Sequence, residues 1–264
     1  MSWFAATELW VVDVVVEAAF RQSKASSLSQ EESQSARKAL GMLDAGLQDR
    51  PAWGAGKFRG LFLVFEGLDR SGKSTQSKKI ASYLEKAGPV KWMCFPNRKT
   101  PIGNAIDLYL RQLELSDEAV HRLFSVANRW EMAQAIVEDL RSGTTIVCDR
   151  YAFSGVAYSA AKGLDFTLCQ SPDRGLPCPD GIFFLHIDEK VGASRSNFGD
   201  ERYENAQMQA NVRAQFRDQR LRSNVNWRDV DGARDVEVIH GEIRDAVDSM
   251  LQAGHLPAVQ RLWI

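Results

Sequence analysis

Short apolar runs alternate with longer amphipathic stretches from residue 60 to the end of the chain. The runs predict strands at 61–66, 91–95, 144–148, 182–187 and 235–240. Apolar residues at helical spacing predict helices at 74–87, 101–113, 117–141, 204–222 and 242–253. Strands that alternate with helices indicate an α/β fold, here a five-stranded parallel sheet with helices on both faces. Ligands of such sheets bind at the carboxyl ends of the strands, so candidate chemistry is sought there.

Residues 1–58 lack this alternation and are interpreted as a poorly defined N-terminal extension before one domain at 59–264. The apolar stretch Leu9–Phe20 contains Asp13 and Glu17, which makes it too short and too charged to span a bilayer. As a helix it would have one polar stripe and would pack against another surface, although its valines leave a strand as the alternative. The first 20 residues contain three acidic and no basic side chains, unlike an organelle import signal.

The turn between the first strand and the first helix has the spacing of a phosphate-binding loop. Residues 67–74, GLDRSGKS, match the pattern G-x-x-x-x-G-K-[ST] between a strand and a helix. The glycines allow backbone N–H groups to point toward an anion, and the helix that starts near Ser74 adds its positive end. We expect Lys73 to reach the β- and γ-phosphates of a nucleotide and Ser74 to hold Mg²⁺. The chain is therefore predicted to be a P-loop NTPase.

Charged side chains follow the other predicted strands. Asp149 ends the third strand, where a second carboxylate that organises Mg²⁺ belongs in this fold. Arg98 lies just beyond the second strand and can bind a phosphate from the opposite side. The segment after the fourth strand is polar and contains Gly192 and Gly199. It predicts a lid at about 190–203 that closes over phosphates, with an ordinary surface loop as the alternative.

Composition places the chain among ordinary globular proteins, with 44% hydrophobic and 25% charged residues. The formal net charge of −1 provides no overall field for nucleic acid or an anionic membrane, so neither is expected as a partner. The cysteines form no C-x-x-C pair, which favours free thiols in a reducing compartment: Cys94, Cys148, Cys169 and Cys178. We expect a cytoplasmic location, with the nucleus as an additional one and mitochondrial targeting by residues 1–58 as a weaker alternative.

Six motifs, in order, resemble those of thymidylate kinases. They are FEGLDRSGKSTQ, FPNRKTPIG, LFSVANRWE, DRYAFSGVAY, GLPCPD and FGDERYE, and they spread over residues 60–264 but not over 1–58. The resemblance implies a fold like that of nucleoside monophosphate kinases and the transfer of a phosphoryl group from ATP to dTMP in deoxythymidine nucleotide synthesis. It also implies Mg²⁺ as the cofactor, ATP and dTMP as the bound nucleotides, and a homodimer.

The resemblance implies site residues at the matched positions. For ATP these are Gly67, Ser71, Gly72, Lys73, Ser74, Thr75 and Arg195. For dTMP they are Asp69, Phe95, Arg98, Phe124, Arg129, Arg150, Tyr151, Ser154 and Tyr203. The catalytic residues would be Lys73, Arg70 and Asp69, and the Mg²⁺-holding residues would be Ser74 and Asp149.

Individual roles also follow from the resemblance. Arg98 and Arg150 match the pair that grips the dTMP phosphate. Asp69 matches the loop carboxylate that contacts the sugar of dTMP and helps to position it. Arg70 matches the loop arginine that bridges toward the transferred phosphoryl group, and its presence in the loop is typical of the eukaryotic type.

The remaining matches concern the base and the sugar of dTMP. Tyr151 matches a residue that crowds the 2′ position and so favours deoxyribose, and Arg129 matches the arginine that reads thymine. Ser154 lies where a hydroxyl on the base side is expected, and Tyr203 matches the lid tyrosine.

One spacing departs from the family pattern. Phe124, the expected stacking platform for the base, precedes Arg129 by five positions, whereas the family usually has four. One extra residue rotates a helical side chain by about 100°, so the two side chains would no longer face the same pocket. A π-bulge would restore their common direction. Without a bulge, Ser125 would replace the aromatic ring.

Two other functions remain as alternatives. A deoxynucleoside kinase would need a carboxylate base after the second strand, where this chain has Asn97 and Arg98. Arg98 therefore favours an acceptor that already carries a phosphate. A catalytically weak nucleotide-binding protein, with residues 1–58 as a docking segment, is the third possibility. The intact Lys73, Arg70 and Asp149 count against it. A GTPase is disfavoured because the chain has no N-K-x-D sequence.

Overall fold

A five-stranded parallel sheet with helices on both faces forms the domain in a computed structural model, which describes residues 59–100, 127–187, 206–253 and 256–264. The strands are β1 Phe62–Gly67, β2 Val90–Cys94, β3 Thr145–Asp149, β4 Gly181–His186 and β5 Trp227–Asp231. Their order is β2-β3-β1-β4-β5, and every pairing is parallel. The helices are α1 Lys73–Leu84, α2 Asn128–Arg141, α3 Ala152–Ala160, α4 Phe166–Gln170, α5 Ala206–Phe216, α6 Gln219–Arg222 and α7 Val236–Gln252. The predicted fold class is confirmed.

The central strand β1 is buried on both sides, which explains its continuous apolar sequence. Phe62 and Val64 belong to one core, which they share with α2, α3 and α5. Leu63 and Phe65 belong to the opposite core, which they share with α1 and α7. Successive side chains of a strand point to opposite faces, so one strand serves two cores. This burial holds the carboxyl end of β1, and the loop that follows it, in a rigid setting.

The predicted strand at 235–240 is wrong, because this segment begins the helix α7. The side chain of Asp235 accepts a backbone N–H of the first turn and so caps the helix. Val236 and Val238 are 43% and 55% exposed, so these valines are surface residues of a helix. Their alternation with polar residues imitates the period of a strand, and the capping aspartate is the signal that distinguishes the two.

The fifth strand was missed because β5 is an edge strand with little apolar character. Within the sequence WRDVD, Val230 alone is buried.

The helix predictions also differ in part from the structure. Periodicity predicted one helix at 204–222, whereas α5 ends at Phe216 and α6 starts after Asp218. The Asp218 side chain accepts the Arg220 N–H at 2.8 Å and caps α6. The helices α3 and α4 were not predicted, and the predicted helix 101–113 lies outside the described residues.

The end of the chain packs back onto the domain. Leu262 is fully buried and exchanges backbone hydrogen bonds with the segment before β4, at 2.8 Å to Leu176 and 2.9 Å from Gly175. Trp263 makes an edge contact with Phe153 of α3 at 5.3 Å between ring centroids.

The four cysteines are free thiols, as predicted. Within the described part of the chain, no helix has the length and apolar character needed to span a membrane.

Candidate functional site

The phosphate loop joins β1 to α1 as predicted and surrounds a pocket. Gly67 has φ 144°, and a Cβ there would lie 2.3 Å from the Leu185 carbonyl oxygen, so only glycine fits. Gly72, with φ 99°, precedes α1 without a side-chain cap, which leaves the first N–H groups of the helix to an anion. The pocket has a volume of about 310 Å³ and is lined by Arg70, Gly72, Lys73, Ser74 and Thr75.

Lys73 lies inside the loop and is 5% exposed. Its Nζ donates to the Leu68 carbonyl oxygen and lies 3.4 Å from Ser71 Oγ. Burial, together with the nearby Arg150 guanidinium, lowers the pKa of Lys73 to about 8. A phosphate in the pocket would favour the ammonium form and raise this pKa again. The lysine is therefore placed to neutralise a bound anion.

Ser74 and Asp149 form an arrangement that fits a divalent cation. The Ser74 hydroxyl donates to Oδ2 of Asp149, while Oδ1 of Asp149 is buried without a hydrogen-bond partner. An orphaned carboxylate oxygen beside a hydroxyl offers the oxygen ligands that Mg²⁺ prefers. No group of three or more His, Cys, Asp or Glu side chains suited to a metal occurs in the described ranges. A cation here would take its other ligands from water and phosphate, as Mg²⁺ commonly does.

Asp69 and Arg150 form an ion pair on the other side of the loop. Arg150 Nη2 donates to Asp69 Oδ1, while Oδ2 accepts the Tyr158 hydroxyl at 2.7 Å and Gln209 Nε2 at 2.8 Å. Burial opposes ionisation of Asp69, but Arg150 and Lys73 hold the pKa of this carboxyl below its ordinary value. The carboxylate is therefore ionised and oriented by donors from α3, from α5 and from the residue that follows β3.

Arg150 directly follows β3 with φ 65°, a left-handed conformation that is uncommon outside glycine. Its Nη1 lies 3.3 Å from the Gly67 carbonyl oxygen, and its guanidinium lies 5.4 Å from the centroid of the Tyr158 ring. These contacts bring the side chain to the phosphate loop. Two residues predicted from separate motifs, Asp69 and Arg150, thus meet at one site.

The role predicted for Tyr151 is wrong. Its side chain is 1% exposed, its hydroxyl donates to the Pro177 carbonyl at 3.1 Å, and its ring packs edge-on against Phe62. A side chain buried in this way does not reach the 2′ position of a sugar. Tyr158, seven residues later in the same motif, has its hydroxyl on Asp69 instead. A separation of seven residues would put two helical side chains on nearly the same face. Tyr151, however, is the N-cap residue of α3 with φ −150° and ψ −149°, so it lies outside the helical repeat that includes Tyr158.

The Ser154 hydroxyl is hydrogen-bonded within the protein, and its predicted role beside a base stays a prediction. Its Oγ donates to Oε2 of Glu66 and accepts from Nη1 of Arg150 at 3.1 Å. The serine is 8% exposed and links two charged groups. Glu66 was not predicted as a site residue, although it stands next to Gly67 in the loop motif.

Arg129 is held in a buried ion pair with Asp173, which the sequence did not reveal. Its Nε and Nη2 donate to the two carboxylate oxygens at 2.9 and 2.8 Å, and the side chains are 4% and 0% exposed. A Cβ at Gly155 would lie 2.7 Å from Nη2, so the glycine makes room for the guanidinium. Reading of a base by Arg129 would depend on its other N–H donors, and this role stays a prediction.

Breaking this ion pair should destabilise the fold. We expect Asp173→Ala to lower the free energy of unfolding by about 3–5 kcal/mol, because it leaves the Arg129 guanidinium buried without its carboxylate. Urea denaturation measures the loss. Glu237→Ala is the control, since Glu237 is paired with Lys79 at the surface with side-chain exposures of 73% and 32%. The control should cost less than about 1 kcal/mol, and a comparable loss in both variants would contradict the assignment.

The segment after β2 is fixed to α2 by a pair of asparagines. The N–H of Asn97 donates to Asn128 Oδ1 at 2.6 Å, and Nδ2 of Asn128 donates to the Asn97 carbonyl at 3.1 Å. Arg98 follows directly and is exposed, which leaves its guanidinium accessible to a ligand. Phe95 is 4% exposed and packs against Tyr151, so its ring belongs to the core beneath the site.

Several predicted features lie outside the described residues: Phe124, Arg195, Tyr203, the lid at about 190–203 and the extension 1–58. Ala127, the described residue immediately before α2, lies in a π-helical turn. The proposed bulge between Phe124 and Arg129 requires a widened turn in this neighbourhood. The direction of the Phe124 ring stays a prediction.

Comparison with known proteins agrees with this geometry. The sequence profile of the family described as thymidylate kinase matches residues 65–243. The chain is 46% identical to the thymidylate kinase of Schizosaccharomyces pombe over 202 residues, which cover 73% of this chain and 93% of the relative. It is 41% identical to the Homo sapiens thymidylate kinase over 209 residues, covering 78% and 98%.

A solved structure agrees as well. The thymidylate kinase from Candida albicans superposes with a TM-score of 0.67 at 36% sequence identity, covering 77% of this chain and 98% of the other. The phosphate loop, the Ser74–Asp149 pair and the Asp69–Arg150 pair lie within residues 65–243, which the family profile matches. The chain therefore belongs to the thymidylate kinase family.

Proposed function

We propose that the protein transfers the γ-phosphoryl group of ATP to dTMP and releases ADP and dTDP. The proposal rests on one observation: two charged sites, the phosphate loop and an ion pair, lie side by side at one edge of the sheet. A phosphate loop with Lys73 faces the donor, and an Asp69–Arg150 pair lies beside it on the acceptor side. The membership of the family supports dTMP as the acceptor.

On the donor side, the backbone N–H groups at the start of α1 and the Lys73 ammonium would bind the ATP phosphates. Ser74 and Asp149 would hold Mg²⁺, which neutralises charge on the β- and γ-phosphates when bound. Arg70 lines the same pocket and would stabilise the phosphoryl group during transfer. Arg195 of the predicted lid would contact ATP from above.

On the acceptor side, Arg98 and Arg150 would bind the dTMP phosphate, and Asp69 would contact its sugar. The attacking group is a phosphate oxygen that is largely ionised near neutral pH, so the reaction needs no general base. Catalysis would then consist of alignment and charge neutralisation. We assign the contact with the 2′ position of the dTMP sugar to Tyr158 instead of Tyr151. Phe124 and Tyr203 keep their proposed roles as stacking ring and lid tyrosine.

An assay coupled to ADP release tests the reaction. We expect turnover with dTMP and ATP in the presence of Mg²⁺, and only background turnover with thymidine or without an acceptor. A preference for thymidine would favour the deoxynucleoside kinase alternative. ADP release that does not depend on an acceptor would indicate an ATPase. Removing Mg²⁺ with EDTA should abolish turnover, because the cation neutralises the reacting phosphates.

We also propose a homodimer, which the family resemblance implies. Light scattering of the full chain at assay concentrations measures the mass directly. A mass near 29.5 kDa would indicate a monomer and contradict this part of the proposal.

The extension should be dispensable for catalysis. We expect a chain that starts at Lys57 to keep its kcat and its KM for dTMP. Every described site residue follows Gly60, and the first strand of the sheet, β1, starts at Phe62. Steady-state kinetics measure both constants, and thermal melting shows whether the shortened chain folds cooperatively. A folded chain without turnover would show that residues 1–56 contribute to the site.

A further inference from the structure

A buried carboxylate lies directly behind the phosphate loop. Glu66, the residue before Gly67 in β1, is 0% exposed. Its Oε1 accepts the backbone N–H groups of Tyr151 at 2.9 Å and Ser154 at 3.1 Å, and its Oε2 accepts the Ser154 hydroxyl. A buried carboxylate is unfavourable unless donors satisfy it, and here three donors do so.

Two of these donors belong to the start of α3. The N-cap residue of this helix, Tyr151, caps it with no side-chain hydrogen bond. Glu66 supplies the missing acceptor from a different element, and the positive end of the helix favours its negative charge. The carboxylate therefore ties the beginning of α3 to β1 immediately after Arg150.

The third donor determines the direction of a hydrogen-bond chain. The Ser154 hydroxyl has one proton, which is directed to Glu66. A lone pair of the same oxygen therefore faces Arg150 Nη1, which donates to it at 3.1 Å. Arg150 in turn donates to Asp69 through Nη2. Burial raises the pKa of Glu66, while the Ser154 hydroxyl and the Arg150 charge act in the opposite direction. In its carboxylate form, Glu66 accepts the serine proton and leaves the serine oxygen as an acceptor for the arginine.

We propose that Glu66 is a positioning residue for the acceptor phosphate, because it orients the Arg150 guanidinium through the Ser154 hydroxyl. Glu66 itself is 0% exposed behind the loop, so it would act through Ser154 and not by contact with the nucleotide. The inference rests on the proposed role of Arg150 in binding dTMP. It adds a requirement that the phosphate-loop pattern does not contain, namely a carboxylate at the residue before its first glycine.

Glu66→Gln tests the proposal with almost no change in shape. The glutamine oxygen can still accept the two backbone N–H groups, but its NH₂ group donates to Ser154 Oγ. The hydroxyl proton then loses its acceptor, and Oγ must accept from the amide as well as from Arg150, which weakens its hold on the guanidinium. We expect KM for dTMP to rise about tenfold, the value of one hydrogen bond to a charged group, with KM for ATP unchanged.

Ser154→Ala removes the same link while both backbone bonds to Glu66 remain. We expect the same selective rise in KM for dTMP, and no further rise in the double variant Glu66→Gln/Ser154→Ala, because the two residues act in one chain. Glu138→Gln is the matched control: this exposed glutamate lies on α2 and accepts from Gln134. It should leave both KM values unchanged.

The outcomes separate this inference from the proposed function. If Arg150→Ala raises KM for dTMP while Glu66→Gln and Ser154→Ala do not, the inference is wrong and the proposed function stands. If Glu66→Gln raised the KM values for ATP and dTMP equally and lowered Tm, the role of Glu66 would be purely structural and the inference would be wrong. If Glu66→Gln fails to fold, Ser154→Ala decides alone. A wild-type chain inactive with dTMP would overturn both proposals.

Discussion

Replacing Lys73 with alanine should lower kcat by about 100-fold or more, the usual loss when one electrostatic stabiliser of a transition state is removed. Lys73 is 5% exposed inside the phosphate loop, and no other lysine lines the pocket around it in the described chain. The charge that it provides matters most while the phosphoryl group is in transfer. Steady-state kinetics with saturating ATP and dTMP measure the loss in kcat.

The control is Lys86→Ala, which removes an exposed lysine just beyond the opposite end of α1. This variant changes the net charge by the same amount but should leave kcat unchanged. A Lys73→Ala protein that folds and turns over at a near-normal rate would contradict the assignment of the loop.

Replacing Arg150 with alanine should raise KM for dTMP by about 30-fold or more, because it removes one partner of a partly buried charged network. The loss affects Asp69 and Ser154 as well as the acceptor phosphate, since Arg150 contacts both residues. KM for ATP should change much less. Initial-rate kinetics with each nucleotide varied in turn separate the two constants.

Arg98→Ala is the companion variant. Arg98 is exposed, and we expect its removal to raise KM for dTMP by about tenfold, because one charge-assisted contact to the acceptor phosphate is lost. If either arginine variant raised the KM values for ATP and dTMP equally, the proposed division into a donor side and an acceptor side would be wrong.

The sequence predicts the phosphate loop well because its geometry depends on local residue types. Gly67 and Gly72 adopt backbone conformations that favour glycine, and a pattern of residue types captures such a requirement. The apolar run of β1 is equally informative, since a strand buried on both faces has no need of polar positions. Local residue types are therefore sufficient to locate both the loop and the central strand.

The sequence fails where the outcome depends on which way a side chain points. Tyr151 and Tyr158 lie in one motif, yet the first is in the core and the second reaches Asp69. The buried partners Glu66 and Asp173 were missed for a related reason. Their importance comes from contacts with residues that are distant in the chain, at separations of 88 and 44 positions. Periodicity and local motifs contain no record of such contacts.

The secondary structure at the polar edge of the sheet was also predicted incorrectly from the sequence. β5 has one buried residue, Val230, so its pairing with β4 determines its structure more than its own apolar content. The valines that follow it, Val236 and Val238, resemble a strand but lie on the exposed side of a helix. Tertiary contacts therefore overrode the local pattern at this edge.

The fate of a labelled γ-phosphate distinguishes phosphorylation of dTMP from the alternatives in one experiment. The full chain is incubated with ATP that carries a labelled γ-phosphate, with dTMP and Mg²⁺, and the products are separated by chromatography. We expect the label to appear in the β-phosphate of dTDP, and Lys73→Ala to slow its appearance. Label released as free phosphate in the presence of dTMP, or transferred to thymidine but not to dTMP, would contradict the proposed transfer to dTMP.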